Sequence, residues 1–173
     1  MRYAYLESPI GKLLVASQDD ELRLIRFSTG PKGLSGAASG EPKADWEDVS
    51  GSGVGPIAEL ERQLQAYFEG RLRTFDLPLA PQGSDFQKAV WRALQTIPYG
   101  ETVTYSAIAK HIRRPKAVRA VGTANGRNPL PILIPCHRVI GVSGQLTGFG
   151  GGLDTKRQLL ELEGAFPGEA AGH

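Results

Sequence analysis

The chain contains one cysteine in 173 residues, Cys136, within the run Ile132-Leu133-Ile134-Pro135-Cys136-His137-Arg138-Val139-Ile140. A thiol reacts as its thiolate, and neighbouring imidazole or guanidinium groups favour that form. A buried cysteine can also be a small hydrophobe. The apolar flanks and the adjacent His and Arg favour a nucleophile here.

A single cysteine excludes an intramolecular disulfide and leaves too few thiolates for a cysteine-based zinc site. With only His111, His137 and His173 as imidazoles, no metal is expected. No Gly-rich phosphate or dinucleotide motif is present, so no cofactor is expected either. Hydrophobic content of 40% and charged content of 22% suit a globular chain of one medium domain or two small ones. No apolar stretch approaches a membrane span, and Met1-Arg2-Tyr3-Ala4 does not open a signal peptide. The expected compartment is a reducing cytoplasm, without a membrane partner.

The net charge of +2 conceals an asymmetry. Residues 102–153 hold no Asp or Glu but carry Lys110, Arg113, Arg114, Lys116, Arg119, Arg127 and Arg138. The remainder holds 13 basic against 18 acidic side chains. Such a sustained positive field points to a polyanion, nucleic acid above all. Cys136 lies inside this acid-free segment, which ties the chemistry to the binding surface.

The elements that must position these groups follow from pattern. Residues 2–6, 13–17 and 22–27 read as strands, punctuated by Gly11 and Asp19-Asp20. Residues 29–55 read as a long flexible loop, and 57–68 as a helix with Ile57, Leu60, Leu64 and Phe68 on one face. Next, Ser84 and Gln87 form a capping-box pair opening a helix that Pro98-Tyr99-Gly100 ends. Thr104 caps a helix with Tyr105, Ile108, Ala109 and Ile112 on one side. Arg113-Arg114 then leads to Pro115 at the first position of another helix, closed by Gly126. That pair resembles a helix-turn-helix. Its second helix carries Ala117, Val118, Ala120, Gly122, Thr123 and Ala124 around Arg119. Small residues suit close approach in a minor groove, or tight core packing, better than major-groove base reading. A Gly-dense stretch follows the cysteine, and residues 153–163 form a last helix before a frayed tail. The expected class is α+β: residues 1–80 form a small N-terminal α/β-type unit with an antiparallel sheet, residues 82–165 a mostly helical unit, and residues 166–173 a tail.

Taken together, Pro131 to Ile140, Tyr99-Gly100-Glu101-Thr102-Val103-Thr104-Tyr105, Arg119-Ala120-Val121-Gly122, Asn128-Pro129 and the run from Gly151-Gly152-Leu153 to Glu163-Gly164 resemble the O6-alkylguanine-DNA alkyltransferases. The resemblance is dense over residues 82–165 and only in outline before them. It implies a monomeric repair protein that extracts a damaged nucleotide from duplex DNA and takes the alkyl group from O6-alkylguanine, and from O4-alkylthymine, onto its own cysteine. Cys136 is the implied acceptor, His137 its base through a bridging water, and Glu163 the group orienting the imidazole. An extended Cys136-His137 step, with side chains on opposite faces, agrees with such a relay. Tyr105 is implied to donate a hydrogen bond to the base, with Lys156 assisting proton delivery. Arg119 resembles the finger that fills the vacated space. Ala120, Thr104, Lys116, Gly122 and Arg127 complete the implied DNA contacts, Val139, Ser143, Phe149 and Gly150 the implied pocket, and Asn128 braces the turn ahead of the cysteine. Phe149 stands where many members carry Tyr. The nearest rival is an alkyltransferase-like binder that senses lesions without transfer; such proteins lack the reactive cysteine. A Cys-His hydrolase and a helix-turn-helix regulator without chemistry are the rivals of other classes.

Overall fold

The computed structural model describes residues 1–27, 41–146 and 152–165. The chain opens with β1 (Arg2–Leu6), β2 (Leu13–Gln18) and β3 (Glu21–Phe27), paired as an antiparallel meander. Asp19 and Asp20, with φ of 55° and 60°, form the two-residue turn between β2 and β3. Positive φ at both positions is what a tight hairpin matching the strand twist requires, and Asp tolerates it.

The stretch expected as a loop over 29–55 is structured where it is described. A short β4 (Glu47–Asp48) adds to β1 in parallel, giving the order β3-β2-β1-β4, so the sheet is mixed at one edge. Trp46 packs against Tyr3 with ring centroids 6.4 Å apart, and the Glu47 and Val49 amides bond the carbonyls of Met1 and Tyr3. An edge strand satisfies the backbone groups of its neighbour even when its own sequence has little strand character. Residues 28–40 and 166–173 lie outside the described residues.

Helix α1 (Gly55–Phe68) packs on the sheet. Its buried residues are Ile57, Leu60, Leu64 and Tyr67. Tyr67, not Phe68, completes the inward face and lies against Phe68, Phe75 and Tyr99. The free edge of β3 is closed by later parts of the chain. The Leu22 amide bonds the Pro78 carbonyl and the Ala80 amide bonds the Leu22 carbonyl, bracketing Leu79, and the Ile25 amide bonds the Pro129 carbonyl at 2.8 Å. The N-terminal and C-terminal halves thus contribute to one hydrophobic core.

Helix α2 (Asp85–Leu94) begins with the expected box: Ser84 accepts from the Gln87 amide while the Gln87 side chain accepts from the Ser84 amide. It ends at Leu94, ahead of the Pro98-Tyr99-Gly100 turn. A two-stranded ladder of β5 (Val103–Thr104) with β6 (Val139–Ile140) brackets α3 (Tyr105–His111) and α4 (Val118–Gly126). Thr104 caps α3 by accepting from the Ala107 amide at 3.1 Å. Pro115 does not start α4. It lies in a turn bounded by the Ala117 amide bonding the Arg114 carbonyl, and α4 begins three residues later. Helix α5 (Leu153–Leu162) closes the described chain. No helix of the described residues is long and apolar enough to cross a membrane.

Trp91 anchors α2 to α4, its indole nitrogen donating to the Ala124 carbonyl at 2.9 Å. A Cβ at Gly83 would come within 2.5 Å of the Trp91 ring. Gly83→Ala is therefore expected to lower stability by about 1–3 kcal/mol through overpacking against a side chain that has nowhere to go. Denaturant unfolding of the two proteins checks this; an unchanged midpoint would contradict the close approach.

Candidate active site

Cys136 opens a short 3-10 turn, Cys136–Arg138, and is only 4% exposed. The step from Cys136 to His137 is therefore a turn, not the extended segment expected from sequence. The turn is reached through residues 128–135, where the backbone is firmly determined. Asn128 donates to the Ile134 carbonyl at 2.7 Å and accepts from the Leu130 amide at 3.0 Å. Asn125 on α4 donates to the Cys136 carbonyl at 3.3 Å. Between them Ile132 is buried with φ of 76°. A β-branched residue in that region costs of order 1–3 kcal/mol and persists only where its surroundings enforce it.

The sulfur's environment reverses one expectation. Burial pushes the Cys136 thiol pKa up, against the Asn128 side chain, the Lys156 charge and the local amides, which favour thiolate. Arg138 does not offset this burial. Its guanidinium turns away and clamps Glu163, Nε to Oε1 at 2.8 Å and Nη2 to Oε2 at 3.0 Å, with Nη1 on the Ile97 carbonyl. The seventh cation of the acid-free segment is thus internal. Lys110, Arg113, Arg114, Lys116, Arg119 and Arg127 are exposed.

His137 is fully buried. Its Nε2 lies 2.8 Å from Glu163 Oε2, and its Nδ1 is buried without a partner. Burial pushes the imidazole pKa down, Glu163 opposing. An ionised carboxylate only accepts, so Nε2 carries the proton and Nδ1 presents a lone pair. That nitrogen is a buried acceptor one residue along the chain from the thiol. Glu163 is the residue just after α5. Burial alone would raise its pKa, but the bonds from His137, Arg138 and Tyr67 outweigh it and bring it to about 2.

Lys156 lies on α5 and is fully buried. Its Nζ donates to the Val139 carbonyl at 2.6 Å, and burial pushes its pKa down to about 8 against the pull of Cys136. Val139 is buried in the β5–β6 ladder, and Ser143 is exposed. Phe149 and Gly150 lie outside the described residues. Tyr105 stands at the start of α3 against α4: a Cβ on Gly122 would sit 3.8 Å from its ring, an ordinary contact. Inward packing therefore does not demand glycine at Gly122, and Ala120 is exposed. Arg119, Lys116 and Arg127 are exposed about the same helix, while the Thr104 hydroxyl is engaged as a cap.

Two partners of the site escaped sequence reasoning. Arg138 was visible in the motif but read as a neighbour favouring the thiolate and as part of the basic surface, since nothing local marks a cation buried on a distant carboxylate. Tyr67 carried no signal at all. Its hydroxyl donates to Glu163 Oε2 at 2.6 Å across 96 residues of chain.

The α+β fold thus combines a helix-turn-helix carrying exposed cations with one buried cysteine next in sequence to a His that pairs with Glu163. Residues 1–81 match the family model for the 6-O-methylguanine DNA methyltransferase ribonuclease-like domain, and residues 85–165 match that for its DNA binding domain. The chain is 50% identical over 165 residues to the methylated-DNA–protein-cysteine methyltransferase of Methanosarcina acetivorans, covering 95% of this chain and 99% of that one. It is 47% identical over 166 residues to that of Mycobacterium tuberculosis, covering 94% and 92%. The crystal structure of Mycobacterium tuberculosis OGT in complex with DNA superposes with a TM-score of 0.82 at 45% identity, covering 95% and 94%. The chain belongs to the 6-O-methylguanine DNA methyltransferase family. As a member it is a DNA-repair methyltransferase whose acceptor is a cysteine of its own.

The carboxylate predicts a pH dependence. An unfolded Glu titrates near 4.3, whereas Glu163 titrates at about 2. Its contribution to stability is full above the unfolded value and disappears as pH falls through the folded one. Glu163→Gln should cost about 3–5 kcal/mol at neutral pH, because Arg138 stays buried without its counter-charge. The difference from wild type should shrink as pH drops from about 5 to 2. Chemical denaturation across that range measures it; parallel curves would refute the assignment.

Proposed function

We propose that Cys136 is the acceptor in a single displacement on the alkyl carbon of O6-alkylguanine in duplex DNA, with O4-alkylthymine as a second substrate. The thiol proton passes through a bridging water to His137 Nδ1, which is the lone pair available for it. The sulfur–carbon bond forms as the carbon–oxygen bond breaks, and guanine leaves with the electron pair. Tyr105 hydrogen-bonds to the departing base and passes its proton to it, and the buried Lys156 ammonium restores that proton to the phenol. Guanine is thereby released neutral, which avoids expelling an anion. The observation that carries this reading is the buried His137–Glu163 pair with Nδ1 unpartnered, next in sequence to the only thiol.

The rise in the Cys136 pKa fits a single-use acceptor. A thiol held neutral by burial resists casual oxidation and alkylation, and becomes a nucleophile when a base takes its proton. A thioether is stable and no second thiol exists to remove it, so each molecule acts once. Arg119 enters the duplex beside the extracted nucleotide while exposed Ala120 and the adjoining Gly122 let the α4 backbone come close. Lys116 and Arg127 contact phosphate, and Asn128 holds the turn. The protein acts as a monomer in a reducing cytoplasm.

Intact-protein mass after mixing with duplex DNA carrying one O6-methylguanine tests the reading. One gain of about 14 Da on Cys136, capped at one per molecule, is expected for covalent transfer without release. Tight lesion binding without a mass gain would leave a damage-sensing binder. Cys136→Ala should abolish the gain and retain DNA binding; a variant still gaining mass would exclude Cys136. Arg119→Ala should slow transfer from duplex DNA by roughly 10- to 100-fold, the size of a few kcal/mol of extrusion energy, and barely affect a free O6-alkylated guanine. Equal losses on both substrates would remove Arg119 from the extrusion step.

A further inference from the structure

We propose that Tyr67, on the N-terminal helix α1, is a positioning residue for transfer: its hydroxyl fixes the Glu163 carboxylate, which keeps His137 in the Nε2–H tautomer with Nδ1 open to the thiol proton. This rests on the roles proposed above for Cys136 and His137, and adds a contribution from the half of the chain that carries none of the reacting groups.

Glu163 is crowded with donors on one side. Its Oε2 accepts from Tyr67 at 2.6 Å, from His137 Nε2 at 2.8 Å and from Arg138 Nη2 at 3.0 Å, while Oε1 accepts from Arg138 Nε alone at 2.8 Å. Tyr67 and His137 therefore share one oxygen. The carboxylate also sits at the C-terminal end of α5, where the helix dipole disfavours negative charge. Each donor thus helps decide its orientation.

The ring of Tyr67 is explained by packing, since it is fully buried among Phe68, Phe75 and Tyr99. A phenylalanine would pack there equally well. The hydroxyl is not explained by packing, because a buried donor is costly unless it has a partner. Burial and the neighbouring carboxylate push the phenol pKa up, so the group remains a donor at any working pH. The charged and titratable groups facing the pair are Arg138 and His137 from the turn, Tyr99 from the loop after α2, and Lys156 from α5, with Cys136 beyond. Tyr99 donates to the Leu162 carbonyl, so it does not compete for the carboxylate.

Removing the hydroxyl leaves a lone pair of Oε2 to be shared between His137 and Arg138. The carboxylate becomes more basic, the imidazolium is favoured, and the imidazole is freer to turn. His137 then holds its proton to higher pH, so less of it is available as a base there, and the looser ring aims Nδ1 at the thiol proton less often. In Tyr67→Phe the rate constant for transfer from duplex O6-methylguanine to Cys136 should fall about tenfold, the loss matching one hydrogen bond to a charged group. The acid limb of its pH–rate profile should also move to higher pH. A purely structural role would lower the melting temperature and leave the limb in place. A folded Tyr67→Phe with the wild-type rate and limb overturns the proposal. Imidazole nitrogen-15 shifts of His137 in the wild-type protein supply a test independent of any variant: protonated Nε2 with bare Nδ1 supports it, and the opposite tautomer overturns it. Wild-type protein that transfers normally beside an unchanged variant removes only the positioning role, whereas wild-type protein that gains no alkyl group removes the functional reading as well.

Discussion

A carboxylate buried in the middle of a protein is expensive, and the site is organised around keeping one there. Glu163 sits at the end of α5 with four donor contacts from three side chains. Left unpaired, such a charge would be neutralised or expelled. The donors come from α1 and from the cysteine-bearing turn, so satisfying this one group joins three distant parts of the chain. The hydrophobic core supplies the bulk of the stability. The carboxylate decides how the two halves must meet.

The reactive geometry is a consequence of that anchoring. Because Glu163 takes the proton-bearing nitrogen of His137, the other nitrogen is left as a buried acceptor. Because Arg138 is committed to Glu163, the thiol does not face a guanidinium and rests protonated. An apolar cage and a positively charged motif thus give the opposite of an always-activated cysteine. For an acceptor that is used once, reactivity held back until a base is available has an evident advantage.

The binding surface follows different rules. Six cations of the acid-free segment remain exposed, where they cost little and attract phosphate from a distance. On α4 the small residues face outward as well as inward, and the Tyr105 contact does not require a glycine at Gly122. Lack of bulk on that helix is better explained by what approaches it from outside. Ile132, strained and buried, shows how firmly the backbone between α4 and the thiol is held.

Local physics was legible from the residues. The Asp19-Asp20 hairpin, the Ser84–Gln87 box, the Thr104 cap and the extent of α5 each depend on neighbours within a few positions, so their signatures survive in sequence. The motif around Cys136 likewise singled out the thiol and the imidazole next to it as candidates, and the charge count pointed to a polyanion as partner. What required the tertiary structure were quantities set by burial and by long-range pairing. Glu47–Asp48 becomes a strand only because β1 offers an edge, and α4 starts later than Pro115 because the turn before it takes three more residues. Arg138 and Lys156 are inside although cations usually stay out, and Tyr67 reaches Glu163 across 96 residues. The thiol's resting state was misjudged for the same reason: sequence names the charges near a group, but desolvation depends on everything folded around it.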